Sequence, residues 1–186
     1  MLTSCDPPIE PIKSNYALVC GRNPTDQPIY HVNVPIGWKQ KDLSDIKNKT
    51  DTKLPICEFS MDGIRVTIHT FPSEHLNDRI PPIAQVERWK KQFENLENFS
   101  TIPQAFSGFS GILFEGTGLL NKEQQSVMGW TMQLAHEHYR LLRDPQQKAD
   151  FTIKAVGPED KIKTYKKEII AFSRSFELVA TIPEQL

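Results

Sequence analysis

His136-Glu137-His138 sets two imidazoles two residues apart. On a strand such a pair points to one side and could share a zinc or copper ion; on a helix the rings diverge and the pair fails. A complete metal site needs a third ligand, for which His31, His69 and His75 are the remaining histidines. The competing reading is a polar turn or strand end with two solvated imidazoles. Nucleophilic chemistry has less support. Gly108-Phe109-Ser110-Gly111 lacks the Gly-x-Ser-x-Gly elbow, because its second glycine comes too soon. Gly116-Thr117-Gly118 has no lysine where a phosphate loop needs one. Carboxylates are scattered, with no pair that sequence alone brings together for acid–base work. No catalytic residue and no cofactor is therefore assigned, and the chain reads as non-enzymatic.

The three cysteines divide into one and two. Leu2-Thr3-Ser4-Cys5 is the pattern left where a bacterial signal peptide is cut before a lipid-accepting cysteine. Cys5 is expected to carry the diacylglycerol and to label with palmitate, in a lipoprotein whose signal peptide has been removed. The alternative is a cytosolic chain that happens to begin this way. Cys20 and Cys57 then remain as a candidate disulfide, which an exported compartment permits. The alternative is two small buried residues on neighbouring strands. No Cys-x-x-Cys occurs, so neither a thioredoxin-type site nor a zinc knuckle is indicated.

Those groups need elements to hold them. Residues 1–14 contain Pro7, Pro8 and Pro11 and read as a semi-rigid tether; 15–186 read as a single domain. A net charge of -1 gives no field to recruit nucleic acid or an anionic membrane. No apolar run is long enough to span a bilayer. Tyr16–Cys20 and Ile29–Val34 read as strands, and 39–53 as a polar loop. Ile56–Ser60 and Ile64–Phe71, joined through Asp62-Gly63, form the strongest hairpin signal. Ile83, Val86, Trp89, Phe93 and Leu96 make one stripe of a helix expected over Pro82–Asn98. Phe106–Leu119 reads as a central strand. Val127–Leu134 reads as another, with a helix as its rival. Ala135–His138 reads as a turn, Tyr139–Leu142 as a short strand and Phe151–Val156 as a further strand. Ile162, Tyr165, Ile169, Phe172 and Phe176 define a last helix over Pro158–Glu177. Its Lys161, Lys163, Lys166 and Lys167 could meet phosphate or lipid headgroups, but interspersed carboxylates favour a solvated face. Consecutive strands with short turns indicate an antiparallel α+β fold.

Val34-Pro35-Ile36-Gly37-Trp38 closes the second strand, Gly157-Pro158 opens the last helix, and Ile170-Ala-Phe-Ser-Arg-Ser-Phe176 ends it. In these features the chain, from about Asn15 to Val179, resembles the PsbP-like family, which shares a fold with the Mog-type Ran-binding proteins. The resemblance implies an α/β/α sandwich: a central antiparallel sheet of six to seven strands with helices on both faces. It also implies a small accessory protein of a membrane assembly. With Cys5, the expectation is a lipid-anchored protein of a bacterial envelope, facing the periplasm, that serves other envelope proteins. The alternative is a periplasmic metal or small-ligand binding protein using His136 and His138.

Overall fold

The computed structural model describes residues 11–22 and 27–180. The chain runs β1 (Ser14–Cys20), β2 (Pro28–Pro35), β3 (Lys39–Gln40), β4 (Cys57–Met61), β5 (Ile64–Pro72), α1 (Pro82–Lys90), β6 (Glu94–Phe106), β7 (Phe109–Leu120), β8 (Glu123–Leu134), α2 (His136–Leu141), β9 (Ala149–Gly157), α3 (Glu159–Thr164), α4 (Lys166–Arg174) and β10 (Glu177–Leu178). A seven-stranded antiparallel sheet has the order β3-β4-β5-β9-β8-β7-β6, and a separate three-stranded sheet has the order β1-β2-β10. The single sheet expected from sequence is thus two, because β2 pairs with β1 and β10 rather than with the hairpin that follows.

Three two-residue turns set the register of the large sheet. Asp62-Gly63, Ser107-Gly108 and Asn121-Lys122 all have positive φ at both positions, the geometry whose twist matches that of paired strands. Only the first was expected as a tight hairpin. The second cuts the expected Phe106–Leu119 strand, so that Phe106 ends β6 and Phe109 opens β7.

Alternation along β8 divides the interior. Met128, Trp130, Met132 and Leu134 enter a larger core with Tyr30, Phe59, Phe172 and Phe176, drawn from both sheets and α4. Val127 enters a smaller one with Val86, Trp89, Phe93 and Phe114, under α1. Gly129 lies beneath the Trp89 ring, where an added Cβ would stand 2.3 Å from the ring edge. All three tryptophans are buried.

Three expected elements differ. The helix expected to reach Asn98 ends at Lys90. Asn95 and Asn98 take left-handed φ angles of 50° and 49°, which asparagine tolerates and a helix does not. The segment becomes β6, with one extra residue opposite β7 on each side of Glu97. The expected turn and short strand over 135–142 are replaced by α2, which buries Tyr139, with Leu142 buried just beyond its end. The last helix is broken at Tyr165 (φ -94°, ψ 8°) into α3 and α4 and ends at Arg174. Phe176 remains fully buried beyond it, stacked on Tyr30 at 4.6 Å.

Candidate functional site

A cleft of about 570 Å³ opens over β5 and β9 beside α1. Its chemistry follows from period-two alternation. Ile64, Val66 and Ile68 point into the larger core, so Arg65, Thr67 and His69 point the other way. Across the β5–β9 pairing, Thr67 faces Lys154 and His69 faces Thr152. Helix α1 covers the neighbouring strands with Trp89 and offers Arg88 to the cleft rim.

Lys53 reaches the cleft from a loop that is pinned on both sides. The buried Arg22 guanidinium donates to the carbonyls of Asp51 (2.7 Å) and Leu54 (2.5 Å), and to Thr70 on β5 (2.8 Å). Arg65 donates to both oxygens of Glu58 at 2.9 Å, a bidentate pair that holds the Glu58 carboxyl below its ordinary range. Lys154 Nζ donates to Gln92 Oε1 at 2.6 Å and lies 5.7 Å from the Trp89 ring centre. Burial, with Arg65 nearby, pushes the Lys154 ammonium down to about 8.

Burial, then the charges of Arg22, Lys154 and Arg65, push His69 down to about 4. The unfolded chain therefore takes up a proton, as pH falls from about 6.5 to 4, that folded His69 refuses. Stability should fall through that window by on the order of 2 kcal/mol from this group, after allowance for its partial exposure. Urea unfolding of His69→Gln against the parent at several pH values checks this: the variant's profile should be flatter there.

The expected metal pair is not assembled as a strand pair. His136 and His138 sit on α2, where residues two apart diverge by roughly 200°. His31 is on β2 with its Nε2 2.6 Å from Glu177 Oε1, His69 is in the cleft, and His75 precedes a 3-10 turn at Leu76–Asp78. Among the described residues no three His, Cys, Asp or Glu gather to hold a metal ion. Cys20 on β1 and Cys57 on β4 belong to different sheets and are both thiols. Burial pushes the Cys57 thiol up to about 12. Cys5 lies outside the described residues. On the last two helices Lys161 pairs with Asp62, Lys163 with Glu159 and Lys166 with Glu115, at 2.7–3.1 Å.

The alternation of Arg65, Thr67 and His69 with Ile64, Val66 and Ile68 is legible in the sequence as a polar face of β5, but the cleft is not. A lysine at position 154, between apolar Ile153 and Ala155 in the strand run Phe151–Val156, was the available signal. What no local pattern shows is that β9 pairs with β5 and that α1 packs on β7 and β8 beside them, since the residues concerned are far apart in sequence.

The chain matches no protein-family model and no curated protein sequence. Among solved structures it is similar to cyanobacterial PsbP (CyanoP) from Synechocystis, with 14% identity and a TM-score of 0.54 over 95% of this chain and 98% of that one. It is also similar to LpqN of Mycobacterium tuberculosis, described as involved in cell envelope biogenesis, with 14% identity and a TM-score of 0.52 over 89% and 91% of the two chains. No helix among the described residues is long and apolar enough to cross a membrane. The order of elements, the two antiparallel sheets and these likenesses together give this chain a PsbP-like fold.

Proposed function

We propose that this chain is a non-enzymatic accessory protein of a bacterial cell envelope, anchored by a lipid on Cys5 and facing the periplasm. The domain beyond the proline-rich segment presents its surface to another envelope protein. The observation that carries this reading is the fold shared with LpqN, an envelope-biogenesis protein, over nearly all of both chains. The Leu2-Thr3-Ser4-Cys5 pattern and the prolines that follow support the anchor.

Metabolic labelling with a palmitate analogue tests the anchor, using the full-length gene beside its Cys5→Ser version. Label on the native protein and none on the variant is the expected result. Absence of label on both would remove the anchor and return an intracellular reading of the same fold.

A second reading, binding of a small ligand, is favoured by the basic cleft. It moves the alternative site from His136 and His138 on α2 to Lys154 and its neighbours on the open face of the large sheet.

A further inference from the structure

Four cationic side chains line the cleft, Lys53, Arg65, Arg88 and Lys154, against one carboxylate, Glu123. Arg65 is already committed to Glu58 through two hydrogen bonds. Three cations facing one carboxylate leave an excess of two positive charges. Among the described residues neither Lys154 nor Arg88 has a carboxylate within ion-pair distance; their side-chain partners are the neutral amides of Gln92 and Gln85. A half-buried ammonium that donates to a neutral amide, with no counter-ion of its own, is an arrangement that folding alone disfavours. Burying it there is repaid when an anion enters.

We infer that this cleft is a binding site for a phosphate monoester. The dianion matches the charge excess, and its three terminal oxygens can accept from Lys154 and the Arg88 guanidinium together. A carboxylate, with one charge, would leave part of that excess uncompensated. The volume of about 570 Å³ is far more than a bare phosphate fills, so the ester substituent is housed as well. Trp89, Leu120 and Val156 supply an apolar wall for it. The site rests on the small-ligand reading and is independent of Cys5 and its lipid.

The same chemistry reaches an envelope protein either as a soluble phosphate ester or as the headgroup of phosphatidic acid. Calorimetric titration with glycerol 3-phosphate probes the first. Flotation with phosphatidylcholine vesicles, with and without phosphatidic acid, probes the second. Both use the protein with Cys5→Ser, so that no lipid anchor contributes to vesicle capture. Saturable binding in either assay supports the site, and the assay that responds names the source. Arg88→Gln, at an exposed position that should not disturb folding, and Lys154→Met should each weaken that binding about tenfold or more, as expected for one charge-assisted contact. Lys163→Ala, paired on α3 with Glu159, should bind as the parent does. No binding in either assay, or equal binding by Arg88→Gln and the parent, overturns the inference. Its failure leaves the palmitate result, and with it the envelope reading, untouched.

Discussion

Asp150→Ala should lower the unfolding free energy by about 3–5 kcal/mol, the range for removing one partner of a buried ion pair. Arg79 and Asp150 are both nearly enclosed, and Arg79 Nη2 lies 2.5 Å from Asp150 Oδ1. Asp150 also accepts from the Leu134 backbone N–H at 3.0 Å, and Arg79 donates to the Leu134 carbonyl at 2.6 Å. Truncation would strand a guanidinium and an amide away from water together. The pair ties the segment before α1 to the end of β8 and the start of β9, three places that no single hairpin connects. Alongside it, Arg79 stacks on Tyr139 of α2 at 5.2 Å. Urea unfolding of Asp150→Ala and Asp150→Asn measures the effect. The asparagine, which keeps an acceptor, should lose less. A loss below about 1 kcal/mol in the alanine variant would show that Arg79 is satisfied without Asp150.

Phe172→Ala should cost about 3–5 kcal/mol, as for a large aromatic removed from a core that cannot close over the gap. Phe172 on α4 is fully buried, with its ring 4.8 Å from Trp38 and 5.3 Å from Phe59. Trp38 cannot readily follow it inward, because its indole N–H donates to Glu168 Oε2 at 2.9 Å. Chemical denaturation again gives the number, and a loss below about 1 kcal/mol would mean that this face of α4 does not bear on the core.

What could be read in the sequence depended on how locally it was encoded. Asp62-Gly63 between alternating strands announced its hairpin, and the structure places the turn there. The strand at Val127–Leu134 won over its helical rival because Gly129, Trp130 and Thr131 suit a pleated sheet. The buried faces of the last two helices followed from the spacing of Ile162, Ile169 and Phe172. Helical spacing also misled: Phe93 and Leu96 continue the stripe of Val86 and Trp89 and pack on the same core, yet from the connection after α1 and from an irregular strand. Burial pattern reports which side chains point inward, not the backbone that brings them there. Ser107-Gly108 was a turn signal hidden between two phenylalanines that read as one apolar run. The cleft could not be read, because its cations come from a loop, two strands and a helix that only tertiary pairing brings together. The two histidines of α2 failed as a pair for a local reason: a six-residue helix stood where a turn was expected.

The irregular course of β6 has a further consequence at the rim of the large sheet. As the last strand in the order, β6 is where another molecule could add a strand of its own. A docking strand needs an unbroken row of amide and carbonyl groups at a regular repeat. Asn95 and Asn98 break that row twice, and Pro103 removes a donor further along. The sheet is therefore closed to growth at its longest free margin. At that margin, copies of this protein crowded together meet no straight strand that they could extend.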